Sequence, residues 1–184
     1  MKKGKIVNIL LLLFLGILLF TPIGFHFKVY VNRLISWSPS EIAVEDQQFL
    51  DNYNWNLVDG TGRMYNLEQA RGRVVLINIW ASWCPPCVAE MPDLNELYLD
   101  YGDDVIFLFV ARDQKTKVDA FMTKNQYNFP VFYEQSKAPE QLQTSSLPTT
   151  FILNKKGKLV VAEKGAASWN SKATRTMIDG LLKD

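Results

Sequence analysis

The chain has 184 residues, of which 48% are hydrophobic, 12% aromatic and 21% charged, the profile of one ordinary globular domain with an appendage. Its net charge of +1 is unevenly spread: residues 1–38 carry five basic side chains (Lys2, Lys3, Lys5, Lys28, Arg33) and no acid, leaving 15 basic against 19 acidic over the other 146, a net of −4. A mildly acidic soluble portion without a concentrated basic surface excludes a nucleic-acid role, since phosphate binding needs clustered Lys and Arg.

Residues 1–5 read as a short basic tail. From Ile6 to Phe27 there is no Lys, Arg, Asp or Glu, and these 22 residues would span roughly 33 Å as a helix, enough for a hydrocarbon core. The segment is therefore expected to be a transmembrane signal-anchor over 6–27. A cleaved secretory signal is the rival reading, but a small-x-small cleavage pattern is missing after Phe20. By the positive-inside tendency the lysines stay cytoplasmic, so the rest of a single-pass chain is exported. No cysteine follows the apolar run, so a lipoprotein anchor is excluded. Residues 28–47 form a juxtamembrane linker in which Phe27, Val29 and Val31 alternate with polar residues, and 48–184 form the exported domain.

Within that domain, strands at Trp55 to Val58 and Arg63 to Leu67 flank Asp59-Gly60-Thr61-Gly62, a hairpin signal. Arg73 to Trp80 is a nearly continuous run of branched apolar residues, which suits a central strand covered on both faces. Pro86 to about Tyr101 follows as a helix, with Val88, Met91, Leu94, Leu97 and Tyr98 at helical spacing and Pro92 as an expected kink. Next come a buried strand at Val105 to Ala111, a helix at Val118 to Asn125 and a short strand at Pro130 to Tyr133. A polar connection from Glu134 to Ser146 leads to strands at Phe151 to Leu153 and Leu159 to Glu163. A last helix from about Ser168 to Leu182, with Ser168 as N-cap, closes the chain. Parallel units followed by an antiparallel hairpin and a helix give an α/β fold, a mixed central sheet flanked by helices.

Cys84 and Cys87 are the only cysteines, and they stand where a strand pattern gives way to a helix pattern. Two thiols three positions apart can close a small disulfide ring, while backbone N–H groups and the positive end of the helix dipole favour thiolate on the first. As a structural staple the pair is poorly placed, because so short a loop restricts the unfolded chain little. As half of a zinc site it lacks further ligands, since the single histidine, His26, lies in the apolar segment. The pair reads as a redox centre. Pro85 and Pro86 have no N–H, which leaves the donors of Cys87 and Val88 to hold a Cys84 thiolate. Glu90, three residues after Cys87, shares its helical face; if burial raises its pKa it becomes a proton acceptor for Cys87 near neutral pH, and otherwise it is a solvent-facing helix residue.

Gly72-Arg73-Val74-Val75-Leu76-Ile77-Asn78-Ile79-Trp80-Ala81-Ser82-Trp83-Cys84-Pro85-Pro86-Cys87-Val88-Ala89-Glu90-Met91-Pro92, followed by Leu147-Pro148-Thr149-Thr150-Phe151, resembles the thioredoxin superfamily. Within it the chain is similar to the membrane-anchored TlpA/ResA-type thiol-disulfide oxidoreductases, over roughly residues 48–182. The resemblance implies a thioredoxin-like fold and a protein-disulfide reductase without a cofactor, the Cys84–Cys87 couple itself carrying the electrons. Cys84 would be the exposed attacking thiolate and Cys87 the resolving thiol. Trp83, Pro85 and Pro86 would form the rim that meets substrate, and Pro148 would be the cis-proline that turns the Leu147 backbone toward it. Relatives of this type have a glutamate at the position of Glu90, whereas thioredoxins proper have a buried Asp at the position held here by Asn78, an amide that cannot titrate. No charged residue lies between the cysteines, which argues for a reductant. The implied partners are protein disulfides and a membrane thiol-electron carrier that re-reduces the enzyme, with cytochrome c maturation or general disulfide repair as the setting. A thiol peroxidase of the same superfamily and a noncatalytic partner-binding or copper-delivery module are the alternatives. Ser82-Trp83-Cys84 fits a peroxidatic pocket poorly, and the chain lacks the added His and longer cysteine spacing of copper carriers.

Overall fold

The computed structural model describes residues 2–184; Met1 of the expected basic tail lies outside them. Seven strands form one sheet in the order β2-β1-β5-β4-β3-β6-β7. The strands are β1 (Asn56–Asp59), β2 (Met64–Asn66), β3 (Val74–Trp80), β4 (Val105–Ala111), β5 (Val131–Glu134), β6 (Thr149–Leu153) and β7 (Leu159–Lys164). The β3–β4 and β4–β5 pairs are parallel, while β1–β2, β1–β5, β3–β6 and β6–β7 are antiparallel. Helices α3 (Pro85–Tyr101), α4 (Lys115–Asn125) and α5 (Lys172–Lys183) complete the domain. The expected mixed sheet flanked by helices is the one observed, a thioredoxin-like fold.

The continuous apolar run of β3 is explained by burial on both faces. Val74, Leu76 and Trp80 enter one core with Met91, Leu94 and Leu97 of α3, while Val75, Ile77 and Ile79 enter a second core with Trp55, Leu57 and Phe151. Strand side chains alternate, so Asn78 falls on the α3 side among apolar neighbours. It is the one polar residue of the strand, and it is fully buried.

Local chemistry sets the boundaries. In the β1–β2 hairpin Asp59 Oδ1 accepts from the backbone N–H of Thr61 (2.8 Å) and Arg63 (3.0 Å), and Gly62 takes φ +90°, a conformation few side chains tolerate. The last helix begins later than its pattern predicts. Ser171, not Ser168, is its N-cap, with its hydroxyl accepting from the Thr174 N–H, whereas the Ser168 hydroxyl donates to the Ser36 carbonyl at 3.0 Å.

The N-terminal region departs most from expectation. In place of one span over 6–27 there are two helices, α1 (Lys2–Phe20) and α2 (Pro22–Ile35), bent by 75°. The break has a local cause. Pro22 cannot continue the hydrogen-bond ladder, and Thr21 takes extended backbone angles and accepts from the Gly24 N–H, capping a new helix. Among the described residues no single helix is long and apolar enough to cross a membrane, although α1 and α2 are apolar enough as a bent pair. Residues 28–35, expected as alternating linker, belong to α2, which packs on α3. The following stretch is stitched to the domain: Trp37 bridges Ala167, and the Ile42 N–H donates to the Val160 carbonyl at 2.8 Å.

Candidate active site

The site assembles at one edge of the sheet. β3 ends at Trp80 opposite Ala111 of β4, and β6 starts beside it with Thr149 opposite Ile79. The turn after β3, the start of α3 and the Leu147–Pro148 segment before β6 therefore converge. The Leu147–Pro148 bond is cis, as the resemblance implies. The turn is held from the side by Asp113, which follows β4: its Oδ2 accepts from the Ser82 hydroxyl at 2.5 Å and from the Ser82 N–H at 3.2 Å.

Cys84 and Cys87 form a disulfide with a Cα–Cα distance of 5.3 Å. Cys84 is the N-cap of α3, and the Cys87 N–H points at its Sγ, 3.3 Å away. Val88, the second donor expected, is not available. Its N–H goes to the Cys84 carbonyl at 3.0 Å, the first hydrogen bond of the helix. With the prolines at the two intervening positions, a Cys84 thiolate is left with one backbone donor and the helix dipole. The expectation that Cys84 is exposed also needs correcting in this oxidised state: it is only 3% exposed and Cys87 is fully buried. Sγ84 is turned inward by its bond to Sγ87, and both residues belong to the core that contains Trp80 and Met91. The exposed member of the rim is Trp83, at 58%. Pro85, Pro86 and Leu147 are half-buried and Pro148 is buried.

One helical turn beyond the disulfide, a cluster of polar side chains is enclosed in the core. Glu90 is one turn past Cys87 on α3 and is fully buried, not solvent-facing. Its Oε1 accepts from Asn78 Nδ2 at 2.8 Å; its Oε2 accepts from Trp169 Nε1 at 2.8 Å and from the Ala167 N–H at 3.3 Å. Burial pushes the Glu90 carboxyl up to about 8, against these three donors, which pull it down, and with the Asp93 charge adding a smaller upward push. Asn78 Nδ2 also donates to Thr150 Oγ1 at 2.8 Å across the β3–β6 register, while its own Oδ1 has no partner among the described residues. That orientation serves an ionised Glu90. With Glu90 protonated, turning the amide over would let Oδ1 accept both the carboxyl proton and the Thr150 hydroxyl.

Trp169 and Ala167 are the members that sequence reasoning missed. They come from the loop between β7 and α5, some 77–79 residues beyond Glu90, and no spacing rule connects them to the cysteines. The signal that was present is the buried acid itself, which obliges the fold to supply donors. Groups of three or more His, Cys, Asp or Glu able to hold a metal ion are absent among the described residues.

The Redoxin family profile matches residues 45–180. Thioredoxin-like protein YneN of Bacillus subtilis (strain 168) is 30% identical over 146 residues, 77% of this chain and 83% of that protein. Thiol-disulfide oxidoreductase ResA of Bacillus thuringiensis (strain Al Hakam) is 28% identical over 187 residues, 100% of this chain and 98% of its own length. Among solved structures, a DsbF homologue from Corynebacterium diphtheriae superposes with a TM-score of 0.61 at 20% identity, covering 77% of this chain and 92% of that one, and so shares the fold. The exposed lipoprotein thioredoxin of Streptococcus pneumoniae strain TIGR4 matches at 28% identity with a TM-score of 0.51, covering 70% of this chain and 98% of that one. With a paired Cys84–Cys87 at the start of α3, a cis Pro148 at the same sheet edge and a profile match spanning most of its length, this chain belongs to the Redoxin family and, within the thioredoxin superfamily, is TlpA/ResA-like.

Proposed function

We propose that this protein is a thiol-disulfide oxidoreductase working outside the cytoplasm in the reducing direction. The observation that carries this reading is a disulfide at a helix start with a buried, hydrogen-bonded carboxyl one turn further along the same helix, pushed by burial up to about 8. In the reduced protein, Cys84 Sγ as thiolate attacks one sulfur of a substrate disulfide. A mixed disulfide forms and the other substrate sulfur leaves as thiolate. Cys87 gives its proton to the Glu90 carboxylate and attacks Cys84 Sγ. The substrate's second sulfur departs, taking a proton to become a thiol, and the enzyme is left as the disulfide seen here, two electrons poorer. The sulfurs carry these electrons without a further cofactor.

Charge and pairing around the sulfurs support the reducing direction. One backbone donor and two uncharged prolines stabilise the Cys84 thiolate less than an intervening His or Lys would, and a weakly stabilised reduced state favours giving electrons away. For substrate docking the free groups are on Leu147. Its N–H and C=O make no hydrogen bond among the described residues, so an extended peptide can pair there beside Trp83, Pro85 and Pro86. We further propose that the bent pair of α1 and α2 anchors the chain in the bacterial inner membrane, α1 entering it with Lys2, Lys3 and Lys5 on the cytoplasmic side, and that a membrane-embedded thiol carrier returns two electrons to Cys84–Cys87. Cytochrome c maturation and general disulfide repair both need such a reductant.

The reduction potential of the Cys84–Cys87 couple tests the direction. Equilibration of the full chain with glutathione or dithiothreitol redox buffers should give a value near about −270 mV, whereas one near about −120 mV would make the protein an oxidant.

A further inference from the structure

The second helix, α2, has two faces. Gly24, Phe25, Lys28, Val31 and Asn32 are buried or half-buried on the side turned to α3. On the opposite side Ile23, Phe27, Tyr30 and Leu34, at the i, i+4, i+7 and i+11 spacing of one stripe, are each more than half exposed. Four large apolar side chains in a row on a helix already packed along its other face are out of place in water.

Three observations identify what covers them. The stripe is continuous in sequence with α1, whose residues 6–20 carry no charge. The bend between the helices is 75°, so if α1 crosses a bilayer near its normal, α2 runs close to the plane of the surface. No acidic residue occurs before Glu41, and Arg33 is exposed on α2, so anionic headgroups meet no negative charge there. Alone α1 is too short: its uncharged residues 6–20 extend about 22 Å against a hydrocarbon core of about 30 Å, a shortfall that Lys5 snorkelling at one end and an interfacial helix at the other make good. Trp37, 84% exposed just past the end of α2, is the residue type that settles at headgroup depth.

We propose that α2 is an interfacial helix lying in the outer surface of the membrane with Ile23, Phe27, Tyr30 and Leu34 in the bilayer, so that the catalytic domain is clamped against the lipid and does not swing on a tether. This rests on the reading of α1 as the anchor. Its functional consequence follows from what α2 touches. Phe25 and His26 line one cavity with Ser82 and Val88, the residues that bracket the Cys84–Cys87 turn. A helix is about 10 Å across, so the redox turn sits about one helix diameter above the headgroups, where a membrane-embedded thiol donor can reach it.

Single cysteines placed at Leu12, Phe27, Tyr30, Arg33 and Leu34 in the oxidised full chain, whose own sulfurs are tied in the disulfide, accept a maleimide nitroxide. In vesicles of equal parts phosphatidylethanolamine and phosphatidylglycerol, labels at 27, 30 and 34 should collide with oxygen and lose collisions with an aqueous nickel chelate, as the label at 12 does, while 33 keeps its chelate collisions. Chelate access at 27, 30 and 34 equal to that at 33, with 12 still protected, overturns the interfacial helix and leaves the anchor standing. Loss of both oxygen and chelate collisions at the stripe means that protein covers it, a second copy or a partner, and also overturns the proposal. Chelate access at 12 removes the anchor reading itself. Reduction of insulin disulfides by each labelled protein, with dithiothreitol as electron source, checks that the domain has folded.

Discussion

Above the Cys84–Cys87 disulfide the protein places Trp83, Pro85, Pro86, Leu147 and Pro148, none of which carries a charge; below it lie Glu90, Asn78, Thr150 and Trp169, fully buried or nearly so and joined by hydrogen bonds of 2.8 Å. The two regions divide the work. Shape and free backbone groups at the mouth decide which disulfide docks, and they leave the sulfur chemistry almost untuned. The floor holds the one group that can change its protonation state near the working pH, and it keeps that group away from solvent, where an ordinary glutamate would stay ionised and useless as a switchable acceptor.

The sharpest way to break this division is to remove the sulfurs one at a time. Cys84→Ser should abolish turnover and all mixed disulfide with substrate, whereas Cys87→Ser should abolish turnover yet accumulate a mixed disulfide on Cys84, both read by mass spectrometry after acid quench. Equal behaviour of the two variants would erase the distinction between attacking and resolving thiol.

Next in size is the floor. Glu90→Gln should slow substrate reduction on the order of a hundredfold. The wild-type rate should rise through a step near pH 8, as the carboxylate that accepts the Cys87 proton forms, and the variant should lose that step. The same carboxyl makes a stability prediction whose sign is the reverse of the usual surface acid. Its folded pKa is raised, so the folded chain keeps a proton that the unfolded chain releases from about 4.5 upward. Stability of the oxidised protein should therefore fall between pH 4.5 and 8, by on the order of a few kcal/mol. Denaturant titrations of Glu90→Gln should lack that decline.

A smaller effect is expected at Trp169. Its indole N–H favours the ionised carboxyl, so Trp169→Phe should move the pH step upward by about one to two units. An unmoved step would reduce Trp169 to packing. Ser82→Ala, which loses the hydroxyl donor to Asp113 at the mouth, should cost about 1 kcal/mol of stability and leave the pH step where it is.

The mouth was largely legible in the sequence because its logic is local: two cysteines at a strand-to-helix change, prolines without donors, and a Leu-Pro-Thr before a strand. Strand β4 was legible to the residue, since Val105–Ala111 is apolar throughout. Half of the floor was also legible, Glu90 from its helical spacing and Asn78 from the resemblance, which marks its position as the one where thioredoxins proper hold a buried Asp. Trp169 and Ala167 were not, because their partnership with Glu90 is made by folding and leaves no period in the chain. At the N-terminus the apolar character was legible and the bend was not, for a related reason. Composition over 6–27 carries no break, and only the backbone chemistry of Thr21-Pro22 splits it into two helices whose second member turns back onto α3.

The account depends most on Glu90 holding its proton into the neutral range. A pH titration of the Glu90 side-chain carboxyl carbon by NMR in the oxidised protein should show a midpoint near 8. A midpoint near 4.5, the ordinary value, would make the carboxylate too weak a base to take the Cys87 proton and would contradict the role given to the buried floor.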